Sequence, residues 1–199
     1  MAGRFLQTYF TPEVLAAQSQ YYGRGQNLPP QPARDPLGPD ETAFIATRDS
    51  FYLATVTSDG WPYVQHRGGP AGFLKLLDPT TLGFADFKGN RQLLSTGNVS
   101  ANDRVCLFLM DYPMRTRLKL TGHMKVLDAR DHAELADQLS PAPQLRNQIE
   151  RLFLIDVVGF DWNCPKYITP RFTAAEVNEL VTPLKARIAE LESQLHPPP

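Results

Sequence analysis

Residues 51–67, FYLATVTSDGWPYVQHR, decide the fold. On either side of Ser58-Asp59-Gly60 apolar and polar side chains alternate, the period of a strand with one face turned inward. Asp-Gly between two β-rich runs is a strong hairpin signal, because glycine accepts the positive φ of a tight turn. The pattern continues outward. GFLKLL (72–77) and TLGFADF (81–87) flank a turn at Asp78-Pro79-Thr80, and RVCLFLMDY (104–112) and RLKLTGHMKVLDA (117–129) meet across Tyr112-Pro113. Six strands with short connections predict a small antiparallel barrel, mainly β with flanking helices. ERLFLIDVVGFDW (150–162) is apolar and β-branched, a further strand completing the sheet.

The flanks read differently. Thr11, Pro12 and Glu13 open a helix over 11–22 and Gly23 stops it. NLPPQPARDPLGPD (27–40) is too rich in proline and glycine for regular structure and predicts an extended arm, after which Asp40 caps a short helix through Thr47. GNRQLLSTGNV predicts a helix opening just after a strand, and ARDHAELADQL another. In the tail, Thr173-Ala-Ala-Glu176 is a capping box. Val177, Val181, Leu184, Ile188, Leu191 and Leu195 then recur four and three residues apart, as in a coiled coil, with Pro183 expected to bend or interrupt the helix. Such a helix either packs on its own barrel or pairs with a second chain. The chain divides into a helix and proline-rich arm (1–44), a barrel (45–170) and a helical tail (171–199).

Composition narrows the classes of function. Twenty basic residues against 21 acidic leave a net charge of −1, so no global field holds nucleic acid or an anionic membrane. No apolar run approaches the ~20 residues of a membrane helix, and the start lacks the apolar segment of a signal peptide. Two cysteines, Cys106 and Cys164, make no disulfide framework. A cytoplasmic, soluble protein is expected. HExxH, CxxC, GxSxG and P-loop patterns are absent, and the four histidines have no metal spacing, so no metal site and no catalytic residue is assigned.

The remaining signal is cationic. Gln65-His66-Arg67, Lys75, Lys88-Gly89-Asn90-Arg91, Arg115, Arg117 and Lys119 recur where the strands end. Arg67, Lys75 and Arg91 converging on a helix N-terminus make a phosphate site, since guanidinium forks and free backbone N–H groups both hold anions. Exposed cations extending into water are the other reading. His66, beside Arg67, is a candidate for contact with a substrate.

These residues resemble the flavin-binding split barrel of the pyridoxamine 5′-phosphate oxidase-like family. The likeness covers about residues 45–127 and is centred on Phe84-Ala-Asp-Phe-Lys-Gly-Asn-Arg91, where the oxidases read like F-T-N-x-x-S-x-K and hold the FMN phosphate and ribityl chain. The resemblance implies FMN as cofactor, contacted by Arg67, Lys75, Phe84, Ala85, Lys88, Asn90 and Arg91. RLKLTG resembles R-Q-V-R-x-x-G, which puts Arg117 beside the flavin and Lys119 where the oxidases face the substrate phosphate. Trp162 followed by Arg171 resembles a C-terminal W…R pairing near the flavin. The family's serine is Gly89 here, its lysine Arg91 and its glutamine Arg117, and its C-terminal substrate segment is absent. An FMN-dependent oxidoreductase acting on a small molecule, with a nicotinamide or other electron donor, is therefore the expectation. A true pyridoxamine or pyridoxine 5′-phosphate oxidase and a non-catalytic flavin- or haem-binding module are the alternatives. The family generally dimerises around the flavin, so a homodimer is implied.

Overall fold

The computed structural model describes residues 3–89, 91–162 and 165–195. Residues 1–110 with 117–164 form one compact unit, and residues 111–116 with 165–199 form another.

The first unit is built on an antiparallel sheet of seven strands rather than six, in the order β2-β1-β5-β6-β7-β4-β3. The strands are β1 (Ser50–Val56), β2 (Pro62–Gly68), β3 (Lys75–Asp78), β4 (Thr81–Phe87), β5 (Arg104–Asp111), β6 (Thr116–Asp128) and β7 (Ile149–Trp162). The Asp-Gly hairpin forms as its residues require: Gly60 has φ 87°, and its N–H bonds the Thr57 carbonyl at 3.0 Å. Asp78 closes the next turn by accepting from the Thr80 N–H at 2.8 Å. The seventh strand is no appendage. β7 lies between β6 and β4 and pairs with both, so strand pairing joins the two groups of earlier strands through it.

That position explains its composition. Phe153, Ile155 and Val157 face the main core, whereas Leu152 and Leu154 face a second cluster with Ala136 and Leu139 of α5 (Ala133–Leu139). A strand buried on both faces reads as a continuous apolar run rather than an alternating one. The sheet also curls. Phe51 of β1 meets Phe84 of β4 edge-on at 5.3 Å, although β5, β6 and β7 stand between them in the sheet.

An N-terminal layer covers part of this sheet. Helix α1 (Gly3–Tyr9) was not foreseen from local pattern, and its partners are distant: buried Asp35 accepts from the N–H groups of Arg4 and Phe5 at 3.1 and 3.3 Å. At Gly159 of β7 a Cβ would lie 2.6 Å from the Phe5 nitrogen, so glycine allows the helix to lie against the strand. Helix α2 (Pro12–Tyr22) has Thr11 as its cap and Gly23 at φ 76° as its stop, as expected. Helix α3 (Pro39–Ala46) departs from expectation at its cap. Gly38 takes that place, its N–H bonding Glu41 Oε2 at 2.9 Å, and Asp40 lies one residue inside the helix.

In the second unit the Thr173–Glu176 capping box forms, with Thr173 N–H donating to Glu176 Oε2 at 2.7 Å and Glu176 N–H to Thr173 Oγ1 at 3.2 Å. Helix α6 (Ala174–Leu195) then runs 22 residues without a break at Pro183. Thr182 Oγ1 donates to the Asn178 carbonyl at 2.7 Å, in the turn where proline removes a backbone donor. The Arg171 guanidinium lies 5.1 Å over the Tyr112 ring.

Candidate functional site: a cation cluster at the end of β4

Strand alternation builds the site. Phe84 points inward, 1% exposed and stacked on Phe153 at 4.9 Å; Ala85 points outward to the α5 cluster. Asp86, on the inward side again, receives two guanidiniums. Arg67 of β2 donates from Nη1 to Oδ1 at 2.7 Å, and Arg151 of β7 donates from Nε to Oδ2 at 2.9 Å. Arg67 thus ties an edge strand to β4 through a side chain, where the sheet makes no ladder. Its guanidinium lies 5.1 Å over Phe153 and 5.8 Å over Phe84, and its Nε is buried without a partner.

Beside this pair is a cleft of about 510 Å³ lined by Lys88, Gly89, Arg91, Leu93, Glu150 and Arg151. Lys88 and Arg91 are exposed there. Counting Arg67, Lys88, Arg91 and Arg151 against Asp86 and Glu150 gives four positive charges and two negative, an excess of two. The following helix α4 (Leu94–Ala101) begins three residues after Arg91 rather than at it, with Leu93 at the N-cap in a left-handed conformation, φ 54°. Leucine has no oxygen to cap with, so the first turn keeps N–H groups free of a side-chain cap. Ser95, in that turn, is buried and donates to Gln65 Oε1 at 2.8 Å. The cleft thus combines an excess of positive charge with backbone donors that lack a side-chain cap.

The other candidates lie elsewhere. Asn90 falls outside the described residues. Lys75 donates from Nζ to the carbonyls of Gln138 and Ser140, at 2.7 and 3.0 Å, closing the C-terminal end of α5. Trp162 donates from Nε1 to Glu41 Oε1 at 2.6 Å and meets Phe44 edge-on. Lys119 pairs with Asp161 Oδ2 at 2.9 Å and lies over Phe5. Register separates these last two from the cation cluster. Arg151 stands opposite Asp128 and Trp162 opposite Leu118, ten β6 residues away, roughly 30 Å along the strand.

Arg117 belongs to a third place, the outer face of β2-β1-β5-β6. There His66, Tyr52, Phe108 and Arg117 follow one another across four strands: Tyr52 pairs with both His66 and Phe108, and Arg117 lies 5.8 Å over the Phe108 ring. The Tyr52 and His66 rings stand 5.7 Å apart, and the Arg117 Nε is buried and unpartnered. Further along the same face of β5, burial pushes the Cys106 thiol above its ordinary pKa and likewise the hydroxyl of Tyr9, which donates to Thr121 Oγ1 at 3.2 Å.

Sequence reasoning missed Asp86 and Arg151 as site residues. A single arginine in the apolar run 149–160 was the available signal, and β7's place beside β4 gives it meaning. Residues 38–152 match the family described as pyridoxamine 5′-phosphate oxidase, more than half of the chain.

The chain belongs to the pyridoxamine 5′-phosphate oxidase family. No curated protein matches its sequence. Solved structures similar to it include a protein described as a pyridoxamine 5′-phosphate oxidase from Lactobacillus delbrueckii, 21% identical, covering 63% of this chain and 93% of that one with a TM-score of 0.49. HupZ of Group A Streptococcus is 14% identical over 68% of this chain and 99% of its own, with a TM-score of 0.47. An FMN-binding protein from Syntrophomonas wolfei is 11% identical over 62% and 83%, with a TM-score of 0.44. Within the pyridoxamine 5′-phosphate oxidase family the matched stretch contains β1 to β6 and the start of β7.

Proposed function

We propose that the chain binds FMN, with the phosphate in the cleft at the end of β4, and that it is an FMN-dependent oxidoreductase acting on a small molecule. The observation that carries this reading is the excess of two positive charges around Lys88, Arg91, Arg67 and Arg151, which matches a phosphate monoester dianion. The buried, unpartnered Nε of Arg67 fits the same group, because a buried donor without an acceptor is costly. The curled sheet, with β2 and β3 as its edges, is the split barrel that the sequence resemblance implies.

FMN, when bound, supplies the exchange of electrons; the protein supplies capture, placement and charge. Arg67 and Arg151 are held ready by Asp86, so little side-chain freedom is lost when an anion arrives. Lys88 and Arg91 close the cleft from the exposed side. The row of His66, Tyr52, Phe108 and Arg117 offers aromatic surface suited to an electron-poor ring, with a cation at its end that favours the ring's anionic, reduced form. Arg67 and its neighbour His66 point to opposite faces of β2; in the homodimer that belongs to this proposal, the row of one chain serves the cleft of a second.

Oxidation of a B6 vitamer phosphate is less well supported. Lys119, which that reading needs free for the substrate phosphate, is paired with Asp161. The test is to titrate the purified protein with FMN, following the visible spectrum and the melting temperature, and then to add NADPH, NADH and dithionite anaerobically. A saturable spectral change with a raised melting temperature is expected. No spectral change and an unmoved melting temperature at saturating FMN overturn the reading.

A further inference from the structure

Helix α6 has no buried residue, yet one of its faces is apolar. Leu184, Ile188 and Leu191 are 63%, 55% and 41% exposed, and Val177 and Leu195 are exposed with them. Such a stripe is out of place in water unless something covers it. Its chemistry specifies the cover. Four-then-three spacing places Val181, Ile188 and Leu195 at the a positions of a heptad and Val177, Leu184 and Leu191 at d. β-Branched residues at a with leucine at d favour two parallel strands over higher orders. Both interior a positions are β-branched, Val181 and Ile188, and both interior d positions are leucine, Leu184 and Leu191.

The charges agree with that geometry. In a parallel pair the g residue of one helix faces the e residue five positions later on the other. Arg187 is at g and Glu192 is at e, so two helices in register place Arg187 of each beside Glu192 of its partner, twice by symmetry. Arg187 already bonds Glu190 one turn on, at 2.6 Å, and its five donors leave room for the second carboxylate. Leu180, at g and 64% exposed, extends the apolar seam, with the stem of Lys185 at e to cover it. Pro183 falls at c, away from the seam, where its missing N–H does not disturb the contact. We infer that α6 docks on α6 of a second copy of this chain as a parallel, in-register two-stranded coiled coil. The seam is independent of what the β4 cleft binds.

Cysteine cross-linking of the full chain tests the register directly. Leu191→Cys puts a thiol at d, where a parallel pair brings the two copies together, and Ala186→Cys puts one at f on the outer side. Under mild oxidation L191C is expected to give a covalent dimer on a non-reducing gel and A186C to stay monomeric, with the unsubstituted chain as the blank for Cys106 and Cys164. Equal cross-linking of the two variants, or none with L191C, overturns the inference. So does cross-linking that appears only in a mixture of V177C and L195C chains, the mark of an antiparallel pair. The charge pair has its own readout: Glu192→Arg is expected to reduce the rate of L191C cross-linking several-fold, and adding Arg187→Glu to restore it.

Discussion

The two ends of the β6–β7 ribbon handle charge in opposite ways. At the Trp162 end opposite groups meet in pairs: Lys119 has Asp161, and the indole N–H has Glu41. At the Arg151 end one carboxylate, Asp86, serves two guanidiniums while Lys88 and Arg91 stand exposed beside them. The first arrangement is balanced, and the second keeps an excess of positive charge in place, as the proposed phosphate site requires. Cations alone do not distinguish the two, since Lys75, Lys119 and Arg67 look alike in sequence.

The contrast can be broken most severely at Asp86. Replacing it with alanine leaves Arg67 and Arg151, 14% and 19% exposed, without their shared counter-charge, and should cost about 3–5 kcal/mol in urea unfolding. Arg67→Ala and Arg151→Ala act on the ligand: each should weaken FMN binding by about 1.5–3 kcal/mol, tenfold or more by fluorescence titration, if the cleft holds the phosphate. Lys75→Ala sharpens the comparison from the other side. It removes two hydrogen bonds to the end of α5 and should lower stability by about 1–2 kcal/mol while leaving FMN affinity unchanged. The smallest effect is expected at Asp128, whose carboxyl is held well below the usual range by hydrogen bonds from Arg130. A depressed carboxylate stabilises the fold above its unfolded pKa of about 4 and loses that contribution as the pH falls further. Melting temperatures of Asp128→Asn and the unsubstituted chain should therefore converge toward pH 2 and differ only slightly at pH 7, because the pair lies at the surface and solvent screens it.

Much of this was legible in sequence where the cause is local. The first hairpin illustrates it: Ser58-Asp59-Gly60 encodes its own turn, and Thr11 and the Thr173–Glu176 box encode their own caps. What escaped depends on residues far apart. Helix α1 needs Asp35 and Gly159, the central place of β7 (a strand legible in itself) needs neighbours on both sides, and Arg151 meets Asp86 only across 65 positions. The cation pattern could not tell Lys75, drawn to the end of a helix, from Arg67, drawn to a carboxylate.

The central place of β7 also sets the order in which the molecule can be made. Until residues 149–162 leave the ribosome, β4 and β6 present unpaired edges, and the Phe51–Phe84–Phe153 stack lacks its last ring. Pairing Thr81 with Asp156 closes a long loop, a slow step in which exposed edges invite association with other chains. The nascent chain must therefore wait for its most apolar strand, and its yield in the cell depends on how that interval is protected.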